Sequence, residues 1–218
     1  MKPFTVLTAV AVPLRVDKID TGMILPGRFM RQHRRPGHDY ANAFLHDLRF
    51  DEKETPRPEF PLNDESYRGA EIMVVGTDFG CGSSREGAAY AVLDYGLRAL
   101  VASNFGEIFA ANCLQNGILP VYLPQRIIED IWRQLESASG SQITIDLTAQ
   151  ILKAPDSSVH SFEINKTRKE RLVRGLDDVD VTLQYVEQIS NYENERRKPW
   201  LVGDNAVRRA VEGLPDKS

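Results

Sequence analysis

The sequence predicts an α/β protein: a mostly parallel central sheet flanked by helices, with added β-hairpins. Three observations carry this. Between Glu71 and Leu123 apolar strand-like runs alternate with helix-like segments over short links, the form of right-handed βαβ units. Ahead of them lies a Val/Thr-rich run from Phe4 to Leu14. After Gly140 the pattern changes to short alternating strands broken by turn residues such as Pro155-Asp156.

Taken in order, Phe4 to Leu14 reads as a strand rather than a secretory leader. Thr5 and Thr8 interrupt its apolar run, Pro13 ends it, and no clear small-residue cleavage pattern follows. Asp17 to Asp39 reads as irregular and carries Arg28, Arg31, Arg34 and Arg35 among Gly and Pro. Asp51 to Pro61, dense in charge and proline, reads as a surface connection. Glu71–Gly76 is a buried strand, Ser84–Tyr95 a helix closed by Gly96, and Arg98–Ser103 a second strand. Phe105–Asn116 is a helix closed by Gly117, Ile118–Leu123 a third strand, and Ile127–Ser137 an amphipathic helix. Ile143–Leu147, Gln150–Lys153 and Val159–Ile164 read as hairpin strands beside the parallel sheet. Asn165–Arg174 reads as a helix stopped by Gly175, Val179–Arg197 as a longer helix, and the end of the chain as a polar tail.

The 218 residues can bury a core without disulfide or metal staples, and 42% hydrophobic against 27% charged residues argues against disorder. Lys and Arg number 27 and Asp and Glu 31, so the net charge of −4 offers nucleic acid or an anionic membrane no attractive field. No apolar run approaches the ~18 residues that span a bilayer. Cys81 and Cys113 are too few for an all-cysteine zinc or iron–sulfur site within this chain. A reducing cytoplasm suits them.

The informative stretch is Gly80-Cys81-Gly82-Ser83-Ser84-Arg85-Glu86-Gly87, between a strand and the next helix. Its glycines permit a sharp turn and close backbone approach. The following helix start offers N–H groups and a positive dipole end, Arg85 a carboxylate-matching fork, and Ser83 and Ser84 small hydroxyls. Ser83 through Glu86 also fits a capping box, S-x-x-E, which would explain Ser83 and Glu86 but not the two glycines and the arginine. A dinucleotide fingerprint fails, because Arg85 stands where its third glycine belongs and the second strand ends in Ser103-Asn104. A nucleophile elbow fails at Glu86. His33, His38, His46 and His160 read as surface or structural residues rather than a triad base.

The runs FGCGSSRE at Phe79 to Glu86, Asp94-Tyr95-Gly96 and NFGEIFAANCLQNGILPV at Asn104 to Val121 resemble the small subunits of 3-isopropylmalate dehydratase, swivelling-domain members of the aconitase superfamily. VDKIDTGMILPGRF at Val16 to Phe29, Phe44 to Phe50, and GLDDVDVTLQY at Gly175 to Tyr185 match as well. The resemblance implies a single swivelling β/β/α domain over residues 1–200, followed by a polar tail at 201–218. It implies a hydro-lyase that interconverts 2- and 3-hydroxy dicarboxylic acids by removing and restoring water. A large subunit carries the [4Fe–4S] cluster that acts as Lewis acid on the departing hydroxyl, and this chain binds no cofactor of its own.

Within the motif the resemblance makes Ser83 the proton-abstracting base, places Ser84 and Arg85 on substrate carboxylate, and counts Gly82 among the substrate-binding residues. The family's Arg-Thr-Gly pattern falls on Arg35-Pro36-Gly37, which nominates Arg35 for the group attached to the malate skeleton, with Arg28 or Arg31 in reserve. Two positions depart from the family pattern: Gly22 replaces the second Asp of Asp-Thr-Asp, and Gly87 the His of GSSREH. A paralogue for citramalate or dimethylmalate, or a non-catalytic carboxylate-binding subunit, are the alternatives.

Overall fold

A computed structural model describes residues 1–31, 34–35, 38–82 and 85–196. Its scaffold is one seven-stranded sheet in the order β4-β3-β2-β1-β5-β6-β7. The strands are β1 (Val6–Leu14), β2 (Ile72–Val75), β3 (Ala99–Ala102), β4 (Leu119–Tyr122), β5 (Gln142–Asp146), β6 (Ile151–Lys153) and β7 (Val159–Ser161). From β1 to β4 every neighbour is parallel, and from β1 through β5, β6 and β7 every neighbour is antiparallel.

The change of sense is built into the long first strand. Val6 to Val10 pair with β5, whereas Ala11 to Leu14 pair with β2. The hairpin strands therefore extend the parallel sheet edge to edge instead of packing beside it, because β5 takes the edge of β1 opposite the one that pairs with β2. Pro13 fits this arrangement. Ala11 donates its N–H to Ser141 O at 3.1 Å; the two-residue period puts the Pro13 nitrogen on the same side, past the end of β5, where a missing donor breaks no ladder.

The parallel strands are apolar throughout because both faces are covered. Met73, Val75, Leu100 and Ala102 face one core layer, with Ile24, Leu25, Phe44, Phe79 and Phe109. Ile72, Val74, Ala99 and Val101 face the other, with Ile128, Ile131, Trp132 and Leu135. Helices α3 (Gly87–Tyr95) and α4 (Glu107–Gln115) supply the first layer and α5 (Gln125–Ser137) the second, following the short helices α1 (Thr21–Ile24) and α2 (His46–Arg49). Trp132 ties α5 to the sheet by donating its indole N–H to Val74 O at 2.9 Å. The glycine stops act as the sequence indicates: Gly96, Gly117 and Gly175 adopt φ of 108°, 78° and 69° behind α3, α4 and α6 (Lys166–Arg174).

Three sequence expectations are corrected. The segment from Asp17 to Asp39 holds α1 and a 3-10 turn, Phe29–Arg31. The helix forms because Asp20 caps it, accepting the Met23 N–H at 2.8 Å, and Leu25 leaves it in extended conformation ahead of Pro26. The helix expected from Ser84 begins at Gly87. The one expected over Val179–Arg197 is two, α7 (Asp178–Leu183) and α8 (Val186–Arg196), because Gln184 and Tyr185 turn back on Val181 O and Thr182 O.

By its contacts the chain divides into Met1–Asp177 and a second unit from Asp178, which contains α7 and α8. The tail at 201–218 lies outside the described residues. No helix among the described residues is long and apolar enough to cross a membrane.

Candidate active site

The carboxyl ends of β1, β2 and β3 point the same way, the edge at which open α/β sheets place ligands. The three loops that leave them are stitched into one platform. Lys18 N–H reaches Thr77 O at 2.8 Å, Gly80 N–H reaches Ile19 O at 2.7 Å, and Thr21 N–H reaches Cys81 O at 3.1 Å. On the other side Asp78 N–H reaches Asn104 O at 3.1 Å, and Gly106 N–H reaches Phe79 O at 3.0 Å. Thr77 N–H is held by the Asp17 carboxylate at 2.9 Å.

Glycine is required at three points of this platform; at Gly76 a Cβ would lie 2.2 Å from Val16 O. Gly80 has φ +76°, and a Cβ there would lie 2.2 Å from the Phe109 ring. At Gly106 a Cβ would lie 2.2 Å from Gly80 O. The turn thus sits directly on the first residues before α4, at a separation only bare backbone permits.

Gly82 comes next to Asp20, whose Cβ lies 3.5 Å from where a Gly82 side chain would begin. Ser83 and Ser84 lie outside the described residues. Beyond them Arg85 is exposed, with one guanidinium nitrogen 3.6 Å from the Cβ position of Gly27. Among the described residues Arg85 has no ion pair or hydrogen-bond partner for its side chain, so its fork stays open.

The capping-box alternative turns on Ser83, which lies outside the described residues. Glu86 is itself the N-cap of α3, in helical conformation and without a side-chain cap bond. Its carboxylate accepts instead from Asn116 Nδ2 at 3.1 Å.

Among the described residues the nominated arginines separate into Arg28, which is paired, and Arg31 and Arg35, which are exposed without a side-chain partner; Arg34 is not among them. Arg28 donates through both terminal nitrogens to Asp47, one contact at 2.8 Å, and its guanidinium lies 4.5 Å over Phe29. Arg34 forks onto Asp94. Arg35 is exposed; its backbone pairs with His38, by N–H to O contacts of 3.1 and 2.8 Å, and its side chain has no partner among the described residues. Pro36, Gly37 and His33 lie outside the described residues. Among the described residues Arg35 and Arg85, like Arg31, are therefore open to an external anion, whereas Arg28 already holds a carboxylate.

His46 is buried, stacked between Phe29 and Phe50 with both centroids at 4.8 Å, and its Nε2 meets Glu54 at 2.9 Å. That makes it structural, as expected. Asp20 and Asp94 belong to the site's framework and were not singled out as site residues from sequence. Their signals were the Asp-Thr-Gly and Asp-Tyr-Gly patterns.

The Arg28 hydrogen bond holds the Asp47 carboxyl below the usual range. A carboxylate with a folded value below its unfolded one stabilises the fold above the unfolded value and loses that stabilisation as pH falls through the folded one. Both partners are about half exposed, 50% and 53%, so Asp47→Asn is expected to cost less than ~1 kcal/mol at neutral pH. In urea titrations its difference from wild type is expected to shrink toward zero as pH falls to about 2.

The two cysteines do not form a cluster-binding set. Cys113 is fully buried, which pushes its thiol well up and keeps it protonated, and Cys81 Sγ lies against Lys18 O at 3.6 Å. Among the described residues no three His, Cys, Asp or Glu side chains converge as metal ligands.

Comparison with known proteins agrees with the fold. The Aconitase C-terminal domain pattern matches residues 1–126, and a LeuD_N pattern matches 129–166. The 3-isopropylmalate dehydratase small subunit of Rhodospirillum centenum is 42% identical over 205 residues, covering 93% of this chain and 100% of that protein. That of Rhodospirillum rubrum is 42% identical over 209 residues, covering 95% and 100%. The crystal structure of a 3-isopropylmalate dehydratase from Methanocaldococcus jannaschii superposes with a TM-score of 0.59 at 21% identity, over 88% of this chain and 99% of that one, a likeness of fold. By sequence over nearly its full length, and by the Aconitase C-terminal domain it contains, this chain belongs to the family of 3-isopropylmalate dehydratase small subunits.

Proposed function

We propose that the chain is the small subunit of a 3-isopropylmalate dehydratase. It would interconvert 2-isopropylmalate and 3-isopropylmalate by dehydration and rehydration in leucine biosynthesis, in the cytoplasm, and would be active only with a large subunit. The observation that carries the reading is the open guanidinium of Arg85, next to the glycine turn at the carboxyl ends of the parallel strands. A free fork at that edge suits a substrate carboxylate.

In this reading Arg85 and Ser84 fix a carboxylate, and the Ser83 alkoxide takes the proton from the carbon beside it. A serine is a poor base at its ordinary pKa, so its alkoxide needs neighbouring N–H donors and positive charge; each such donor contributes on the order of 3 kcal/mol. The start of α3, the glycine turn and Arg85 are groups of that kind. Arg35 would meet the remainder of the substrate. The [4Fe–4S] cluster is left to the large subunit, since the cysteines here do not fit it.

Genetic complementation tests this. A bacterial strain lacking its own small subunit, given this chain with its matching large subunit, is expected to grow without leucine. Failure to grow, with both proteins present and the cluster loaded, would argue against the assignment.

Gly22 and Gly87 favour a second reading, a paralogue for citramalate or dimethylmalate. A Cβ at Gly87 would come 3.1 Å from Leu25 Cδ2 and 3.4 Å from Met30 Sδ, so glycine lets these apolar groups close on the start of α3. If either acid were turned over with higher kcat/KM than isopropylmalate, that reading would replace the first. Calorimetric binding of isopropylmalate by the complex, without turnover, would identify a non-catalytic carboxylate-binding subunit.

A further inference from the structure

Glu86, Tyr90 and Asp94 follow one another at four-residue spacing from the N-cap to the end of α3, and so lie along one stripe of the helix. The Asp94 side chain is only 7% exposed. Arg34 Nη2 donates to its Oδ1 at 2.6 Å and Arg34 Nε to its Oδ2 at 3.0 Å. The Tyr40 N–H also reaches Oδ2, at 2.9 Å. The Arg34 guanidinium lies 4.6 Å above the Tyr90 ring. Positions 34 and 40, on either side of Arg35, are thus fastened to one buried carboxylate.

That carboxylate stands on the helix whose other end emerges from the Gly80–Glu86 turn. A planar fork on a buried acid is directional, so it sets place as well as contributing attraction. We propose that Asp94 is a positioning residue: through Arg34 and the Tyr40 N–H it sets where Arg35 stands relative to Arg85, so that one substrate can meet both. This rests on the reading of Arg35 and Arg85 as substrate ligands. The helix α3 acts as the ruler between them, and Asp94 governs which malate is accepted without touching it.

The test uses this chain assembled with its large subunit. Asp94→Asn keeps an acceptor for Tyr40 but weakens the Arg34 fork. It is expected to raise KM for isopropylmalate about tenfold, to change kcat less than about threefold, and to narrow the preference over citramalate. Arg34→Gln is expected to give the same KM rise, and the double variant no more than either alone, as for residues acting as one unit. An unchanged KM in Asp94→Asn, or a fall in Tm alone, would overturn the proposal. The reading beneath it is judged separately by Arg35→Ala: if that variant leaves KM unchanged, Arg35 is not a ligand, whatever Asp94→Asn does. A readout without turnover is tryptic cleavage after Arg34 in the isolated chain. Asp94→Asn is expected to speed it several-fold, and an unchanged rate would contradict the anchor.

Discussion

Replacing Ser83 by alanine in the assembled enzyme is expected to lower turnover of isopropylmalate by at least 10² to 10⁴-fold, roughly the contribution of a positioned general base. The effect is expected on kcat, because Arg85 and Ser84 would still hold the carboxylate while the proton has no acceptor. Folding should be nearly untouched. A lost helix cap would cost about 1 kcal/mol, but α3 starts at Gly87 with Glu86 as its N-cap, so the expected loss is smaller. Wild-type turnover in Ser83→Ala would remove that residue from its assigned role. A large drop in Tm would show that it serves the fold.

A large effect on stability is expected at Gly106. Its added methyl would meet Gly80 O at 2.2 Å, Gly80 C at 2.7 Å and Cys81 Cα at 3.0 Å, all main-chain atoms that no rotamer change can clear. Its φ of −59° suits alanine, so the clash is isolated from backbone strain. Gly106→Ala is expected to cost about 3 kcal/mol or more, at the upper end for overpacking. Gly69→Ala is the control, having φ +72° and nothing within 4 Å; there only the left-handed backbone is penalised, about 1 kcal/mol. Urea denaturation of the two variants would decide, and a Gly106→Ala cost below that of Gly69→Ala would contradict the close approach of turn and helix.

What the sequence makes legible follows from how local each cause is. The strands β2, β3 and β4 are apolar runs because helices cover both their faces, and the stops at Gly96, Gly117 and Gly175 are single-residue signals. Helix α1 escapes notice because it has four residues, and its buried Ile24, with Leu25 just after it, is explained only by the core they join. The edge-to-edge extension of the sheet depends on β1 meeting β5, with Thr8 and Thr144 hydroxyls 2.9 Å apart across 136 residues of sequence. No local pattern encodes such a pairing.

The site divides in the same way. The motif Gly80 to Glu86 is contiguous and readable from its spelling. Which arginine stays free is decided by distant partners: Asp47 lies 19 residues from Arg28, and Asp94 lies 60 residues from Arg34. Before those pairings are known, Arg35 leads only by its match to a pattern, with Arg28 and Arg31 in reserve. Afterwards Arg28 is spoken for, Arg35 and Arg31 are open among the described residues, and Asp94 changes from part of a pattern into an anchor.

Hydration of isopropylmaleate, followed as loss of its ultraviolet absorbance, tests the central claim most directly. The chain is mixed with the separately purified, cluster-loaded large subunit. Neither protein alone is expected to consume the unsaturated acid, and the mixture is expected to yield both 2- and 3-isopropylmalate until the two components saturate each other. No hydration by the saturated mixture, or hydration by the large subunit alone at the same rate, would contradict the assignment of half of an active site to this chain.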